Sequence, residues 1–302
     1  MSSIPEDFYL AFQNKFRGTE EVVQNRLRVY LPILEVNVIA ENQGEILALD
    51  LGSGRGEWLS LLKQCGTKAV GVDSDIGMVQ TSRSDGLDVI HGDALQFMRN
   101  ASSASYDIVT SFHLIEHLTF DEYFSLIQEA YRVLKPGGVL ILETPNPDNP
   151  LVGISGIWSD PTHLRPIPSS LLSFLCSFIG FSQIDLLFLQ HSTELIESKD
   201  VSLFQILVSP SPDYGLIAKK DETAPKKIIS TLNEGLSLQR LADRYDANLQ
   251  SRLEAIRMEQ EGIRQQQDVF LDSKLWRSYL FLSNFKFLIK NKFSPSGPRN
   301  SP

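Results

Sequence analysis

The chain predicts an α/β fold, with five parallel strands alternating with helices, a closing antiparallel hairpin and a helical extension behind it. Three observations predict this. Apolar runs of strand length alternate with helix-period segments from residue 20 to about 180. Two further strand-like runs, 183–190 and 203–208, lie too close together for a crossover helix, so they are expected to pair antiparallel. Between the first strand and the helix after it lies a turn with glycine at every second position, Gly52, Gly54 and Gly56.

The elements follow in order. Residues 20–40 form an expected helix with an apolar stripe (Val23, Leu27, Tyr30, Leu34), which Pro32 should bend. Strands are expected at 46–51, 69–72, 87–90, 106–110 and 139–143, with helices at 57–64, 76–82, 94–100 and 121–134 between them. Lys135-Pro136-Gly137-Gly138 stops the last of these helices. The expected boundaries are a domain over 1–210, a linker over 211–225 rich in proline and charge, a helical segment over 226–272 and a basic amphipathic tail over 273–302. Leu249, Ile256, Ile263 and Phe270 recur every seven residues, which fits a short coiled coil and self-association through it, although Arg252, Glu259 and Gln266 weaken the seam.

With 302 residues and 42% hydrophobic content, a full core is within reach. The net charge of −9 argues against nucleic acid as a partner. The charge is uneven: residues 273–302 hold six Lys or Arg and no acid, so the rest carries about −15. Cys65 and Cys176 make no metal or disulfide pattern and are read as buried thiols of a reducing compartment. No signal-peptide pattern and no membrane-spanning run is evident, which leads to an expectation of cytoplasm. The aromatic and basic segment 274–293 suits an anionic membrane surface or a partner protein.

The turn after the first strand is the strongest chemical signal. Glycine there permits a close ligand approach, and the helix that follows presents free N–H groups beside it. Asp73 ends the second strand about twenty residues on, where a carboxylate can accept both hydroxyls of a ribose. Dinucleotide dehydrogenases use a related design, but here the third glycine comes one residue early and Glu57 stands where that pattern wants Gly or Ala. Asp50-Leu51-Gly52-Ser53-Gly54-Arg55-Gly56 instead resembles motif I of class I S-adenosylmethionine (SAM) methyltransferases. His91-Gly92-Asp93-Ala94, Phe112-His113-Leu114-Ile115-Glu116-His117 and Arg132-Val133-Leu134-Lys135-Pro136-Gly137-Gly138 resemble the segments that follow in the same family, in the same order. The resemblance implies a Rossmann-like class I sheet with its last strand reversed and S-adenosyl-L-methionine as cofactor. It implies a cofactor site of Asp50, Gly52, Ser53, Gly54, Gly56, Asp73, Asp93, Ala94 and Ser111. Asp93 would then frame the adenine, and its position also suits a helix N-cap.

Transfer to a hydroxyl requires an aligned acceptor and a base. His117 is the first candidate base, because its ordinary pKa lies near neutrality. Glu116 or His113 is expected to orient it or share the role, and the competing reading is that His117 caps a short helix. His113 to His117 also matches the H-x-x-E-H pattern of zinc peptidases, but it follows a sheet strand, and no metal ligand is assigned. The stretch Trp158-Ser159-Asp160-Pro161-Thr162-His163-Leu164-Arg165 is expected to form the acceptor site. In it His163 is the second candidate base, Asp160 and Arg165 bind substrate and Trp158 stacks on a sugar face. The competing reading is a loop pinned by its own hydrogen bonds.

The wording Lys15-Phe16-Arg17-Gly18, together with the E-T-P-N-P run from Glu143 and the D-P-T-H run from Asp160, resembles bacterial methyltransferases of surface-polysaccharide (O-antigen type) assembly. That resemblance implies O-methylation of a sugar on a lipid-linked glycan, a glycosyltransferase partner, and a tail that holds the enzyme at the inner face of the plasma membrane. The alternatives are a soluble methyltransferase acting on a quinone or lipid precursor, and a non-catalytic scaffold that recruits glycosyltransferases.

Overall fold

The computed structural model describes residues 15–35, 45–198, 200–220 and 235–292. The chain divides into two compact units, Met1–Asp243 and Arg244–Pro302.

The first unit begins with α1 (Glu20–Leu27), where the Thr19 hydroxyl caps the helix and Glu20 and Glu21 face its positive end. A 3₁₀ turn, Arg28–Tyr30, leads into α2 (Leu31–Leu34). Pro32 sits in the first turn of α2, where its missing N–H costs nothing. The expected single helix over 20–40 is therefore broken at the proline, and residues 36–40 lie outside the described residues.

Five strand–helix repeats follow. They are β1 (Leu47–Leu51) with α3 (Glu57–Gln64), β2 (Lys68–Asp73) with α4 (Ile76–Ser84), β3 (Val89–His91) with α5 (Ala94–Asn100), β4 (Tyr106–Phe112) with α6 (Phe120–Val133), and β5 (Leu134–Pro145) with α7 (Ser169–Ile179). β6 (Gln183–Leu189), α8 (Thr193–Glu197), α9 (Leu203–Val208) and β7 (Asp213–Lys219) complete the sheet. Its strand order is β3-β2-β1-β4-β5-β7-β6. β7 runs antiparallel to both neighbours, β5 and β6, and the other pairings are parallel.

Both faces of this sheet are covered, as a mainly parallel sheet requires. On one face Leu49, Val109, Leu140 and Leu216 pack with Tyr123, Ile127 and Ala130 of α6 and Leu172 and Cys176 of α7. On the other, Ala48, Ile108, Ile141 and Ile217 pack with Leu27 and Tyr30, with Leu34 of α2 and with Trp58 and Leu61 of α3. Neighbouring residues of one strand serve opposite layers, which is the period-two alternation of a pleated strand.

Three expectations change here. The closing hairpin is not formed by 183–190 and 203–208: the second run is α9, opened by a capping box between Ser202 and Gln205. Leu203-Phe204-Gln205-Ile206-Leu207-Val208 is a short apolar run of the kind that periodicity cannot assign, and the cap decides it. The antiparallel strand is β7, inside the segment expected to be a linker, so neither the 1–210 boundary nor the 211–225 linker holds. Tyr214, Leu216, Ile217 and Ala218 are fully buried, and the proline-flanked polar surroundings hide that apolar run. Cys65 is exposed at the end of α3, whereas Cys176 is buried as expected.

The segment expected to be helical over 226–272 lies outside the described residues up to 234. Leu236, still within the first unit, then pairs with Ser211, its N–H taken by the Ser211 hydroxyl and its carbonyl by the Ser211 N–H. α10 (Leu238–Asp272) is 35 residues long. Leu249, Ile256, Ile263 and Phe270 are all exposed on it. α11 (Lys274–Lys292) is a separate helix after a break at Ser273. No helix among the described residues is long and apolar enough to cross a membrane.

The position of β7 sets a truncation test. A chain ending at Asp243 is expected to unfold cooperatively, whereas one ending at Pro210 loses an interior strand and shows no cooperative transition by circular dichroism.

Candidate functional site

The carboxyl ends of β1, β2 and β3 bring three acids to one rim of the sheet. Asp50 lies in β1, Asp73 ends β2, and Asp93 follows β3 as the N-cap of α5. A cavity of about 650 Å³ opens there. It is lined by Gly52, Gly54, Asp73, Met78, Asp93 and Ala94 from the turn and the ends of β2 and β3, and by His113, Leu114, His117, Leu126 and Thr162 from beyond β4.

Asp73 holds the turn closed. Its Oδ2 accepts the Gly54 N–H at 2.7 Å and its Oδ1 accepts the Asp75 N–H at 2.8 Å. Each oxygen keeps a second lone pair for a ligand hydroxyl. Burial raises its pKa, against the lowering effect of those two amides. Asp93 Oδ1 accepts the Gln96 N–H at 2.7 Å, so the capping role is real, and the residue also lines the cavity.

The three turn glycines divide between ligand and packing. At Gly54 (φ 54°) an added Cβ would meet only the Arg17 guanidinium, at 3.9 Å, so the backbone lies open to a ligand. At Gly56 (φ 82°) a Cβ would lie 2.4 Å from Leu87 Cδ1, so this glycine lets α4 and β3 close on the turn. Gly56 therefore does not line the cavity, contrary to its expected binding role. Ser53 and Ser111 are likewise buried behind the cavity wall. The Glu57 carboxylate is paired with Arg55 at 2.6 Å.

Asp50 sits beneath the turn, 2% exposed and, like Ser53 and Ser111, behind the cavity lining, and its Oδ1 accepts the Thr110 hydroxyl at 2.7 Å. Burial pushes its pKa up to about 7, against the lowering effects of Thr110 and of the Arg17 guanidinium. A buried carboxyl of that kind gains by meeting a cation. Arg17, which donates to the Phe112 carbonyl and lines the cavity, is a site residue that the sequence reading did not single out.

At the far end, His113 leaves β4 with φ 55°, its N–H donating to the Glu143 carbonyl at 2.8 Å. Its Nδ1 lies 3.2 Å from Glu116 Oε1 and its Nε2 lies 3.2 Å from Glu143 Oε1. Glu143 Oε2 accepts the Tyr30 hydroxyl at 2.6 Å, and Glu116 Oε2 accepts the Thr144 hydroxyl at 2.9 Å. Burial alone would lower the pKa of His113, but Glu116, Glu143 and Asp213 outweigh it and carry it to about 10. Glu116 moves the opposite way: burial would raise it, and His113 holds it below the usual range. His113 and Glu116 thus form an ion pair at the foot of the turn that carries His117.

His117 closes a 3₁₀ turn, Ile115–His117, and its Nδ1 lies 2.8 Å from Thr162 Oγ1. Burial lowers its pKa, with Glu116 raising and His163 lowering it further. His163 donates from Nδ1 to the Ile157 carbonyl at 2.5 Å, and its ring meets that of His117 edge-on at 4.6 Å between centroids. The other expected acceptor residues divide. Arg165 donates to the Tyr123 hydroxyl and stacks on Phe120 and Tyr123 at 5.2 and 5.0 Å, so it pins the loop to α6. Trp158 is 53% exposed and does not line the cavity. Asp160 does not line the cavity; its Oδ1 accepts both the N–H and the hydroxyl of Thr162, and its Oδ2 lies 3.9 Å from His163 Nε2.

Two groups among the described residues could in principle hold a metal ion, Glu116–His117–His163 and His113–Glu143–Asp213, with ligand atoms within 4.8 Å of one another. A tetrahedral ion with bonds near 2.05 Å needs ligand atoms roughly 3.3 Å apart. In the first group His163 Nε2 and Glu116 Oε1 are 4.0 Å apart, wider than that, and in the second His113 Nε2 and Glu143 Oε1 are 3.2 Å apart.

Replacing His113 by Ala leaves Glu116 and Glu143 facing each other, and is expected to cost about 3 kcal/mol in denaturant titration. Folded His113 keeps a proton that the unfolded chain releases above about pH 6.5. Its contribution to stability is therefore complete below that value and is lost as pH rises through about 10, a slope that His113→Gln removes.

The comparisons with known proteins agree with this geometry. A family model described as a methyltransferase domain matches residues 25–185. A "Probable S-adenosylmethionine-dependent methyltransferase" of Mycolicibacterium smegmatis is 31% identical over 158 residues, 49% of this chain and 57% of that protein. A demethylmenaquinone methyltransferase of Staphylococcus epidermidis is 32% identical over 113 residues, 34% of this chain and 45% of that protein. The chain thus spans about half the length of the curated relatives it matches. A SAM-dependent methyltransferase from Archaeoglobus fulgidus superposes with a TM-score of 0.61 at 30% identity, covering 71% of this chain and 100% of that structure. The carboxylates at three adjacent strand ends, the open backbone at Gly54 and the length of the cavity fit a nucleoside carrying a charged amino-acid tail. The chain belongs to the class I SAM-dependent methyltransferase family, and its cofactor is S-adenosyl-L-methionine.

Proposed function

We propose that the protein O-methylates a sugar hydroxyl of a lipid-linked glycan. One observation carries the reaction class: a single cavity runs from Asp73 and Asp93, the nucleoside end, to His117 and Thr162. Bound there, the cofactor supplies a sulfonium methyl group. Asp73 accepts the ribose hydroxyls, Asp93 and Ala94 frame the adenine, and Asp50 and Arg17 flank the charged tail. At the other end His117 takes the proton of the acceptor hydroxyl. Its lowered pKa keeps it neutral, and so able to accept, at pH 7.

The glycan acceptor is supported by the sequence wording quoted above and by the character of the second unit. α11 carries basic and aromatic residues and no acid, and Leu275, Phe281, Phe285 and Leu288 are exposed. Such a helix suits an anionic lipid surface, with roughly 1 kcal/mol of attraction per basic residue near it. The exposed seven-residue repeat on α10 offers a seam for a second copy or for a glycosyltransferase. A second reading, a quinone-precursor acceptor, draws its support from the demethylmenaquinone methyltransferase relative.

Calorimetry with S-adenosylhomocysteine tests the cofactor end. Micromolar binding is expected, weakened about 100-fold in Asp73→Ala as two charged hydrogen bonds are lost. Affinity is expected to fall as pH drops below about 7, by up to tenfold per unit, because Asp50 must be ionised beside the cationic tail, and Asp50→Asn abolishes that slope. His117→Ala is expected to lower kcat by about 10²–10⁴ on a lipid-linked glycan with S-adenosylhomocysteine affinity unchanged. Turnover of quinone precursors alone would overturn the glycan acceptor. Deleting 273–302 is expected to abolish salt-sensitive sedimentation with anionic vesicles.

A further inference from the structure

We propose that Asp160 and Thr162 are positioning residues that lock the His117 ring in the tautomer carrying its proton on Nδ1, which makes Nε2 the atom that receives the acceptor proton. The inference rests on the reading of His117 as the base, and adds which nitrogen acts and what selects it.

The argument is a count of protons. Thr162 Oγ1 carries one. Asp160 Oδ1 lies 2.6 Å from Oγ1 and, as a carboxylate, only accepts, so the hydroxyl proton points to it. Oδ1 also accepts the Thr162 N–H at 2.8 Å, and Pro161 between them restricts the backbone, so the carboxylate is fixed relative to the hydroxyl. The remaining partner of Oγ1 is His117 Nδ1 at 2.8 Å. With the hydroxyl proton committed, Oγ1 can only accept, so Nδ1 must carry the hydrogen and the lone pair falls on Nε2. A free histidine side chain favours the opposite tautomer, so this arrangement needs a partner to impose it. His117 and Thr162 both line the cavity.

The charges around the ring suit the same role. His117 is faced by Glu116 from its own 3₁₀ turn, by His113 from the end of β4, and by Asp160 and His163 from the loop before α7. Glu116 and Asp160 favour the imidazolium, His163 and His113 oppose it, and burial opposes it most, so the ring starts neutral and gains acid neighbours once protonated. In the step itself the acceptor O–H bond breaks and the proton moves to Nε2, while oxygen forms its bond to the methyl carbon as that carbon's bond to the sulfonium sulfur breaks and leaves its electron pair on a neutral thioether. The charge then on the ring is shared through Nδ1–H and Thr162 toward Asp160, and the proton later leaves to water.

The tautomer can be read directly. The sequence holds five histidines, so nitrogen-15 labelling of histidine in the full-length protein gives a simple two-bond proton–nitrogen spectrum, with His117→Gln assigning the peak. At pH 8, wild-type His117 is expected as the Nδ1–H form. Thr162→Val should convert it to the Nε2–H form, and Thr162→Ser should keep it as in wild type. His163, whose Nδ1 donates to the Ile157 carbonyl, should stay Nδ1–H in all three and reports that the fold is intact. A wild-type His117 in the Nε2–H form overturns the proposal, as does Thr162→Val retaining Nδ1–H. If the valine variant does not fold, the wild-type spectrum decides alone. Full turnover by His117→Ala would instead overturn the base assignment itself, and leaves the tautomer result standing.

Discussion

His113 leaves β4 in a left-handed turn and lodges its ring between the carboxylates of Glu116 and Glu143. That charged contact ties together the end of β4, the end of β5 and the 3₁₀ turn that carries His117. Through Glu143 and the Tyr30 hydroxyl it reaches the helical layer on the far side of the sheet. Breaking a buried charge pair costs more than never having built it, because the remaining partners are left without compensation. This end of the cavity therefore depends on a histidine held between two carboxylates. The histidine suited to accept a proton sits four residues later, where burial keeps it neutral.

The cofactor end rests on a different constraint. Three acids come to one rim because three neighbouring parallel strands end together, as open α/β sheets generally arrange their ligand crevice. Their surroundings then separate them. Asp73 is spent partly on the turn it closes, Asp93 partly on the helix it caps, and Asp50 is driven by burial toward a proton. The turn glycines share this economy: Gly54 leaves room for a ligand, and Gly56 lets Leu87 pack beneath.

The loop between β5 and α7 walls the cavity beside His117. Arg165 fixes it on Phe120 and Tyr123, the Leu164 N–H donates to the Glu116 carbonyl, and His163 is held by the Ile157 carbonyl. With those anchors set, Thr162 meets His117. The loop is thus pinned by its own hydrogen bonds, and from it Thr162 lines the cavity.

Local chemistry determined much of this protein. Strand–helix alternation, the glycine turn, and acids at the strand ends are patterns of neighbouring residues, so the parallel sheet and the positions of Asp73 and Asp93 were legible directly. The tertiary structure decided what depends on distant partners. Residues 203–208 and 213–219 are both short and apolar, and only the capping box in one and the flanks of β5 and β6 in the other make them helix and strand. Glu116, His113, His117 and His163 were all titratable candidates on the sequence, with His117 put first. Their roles separated only when Glu143, thirty residues on, bracketed His113, and Thr162, forty-five residues on, reached His117. A pKa is set by what surrounds a group in space, and spacing along the chain carries little of that information.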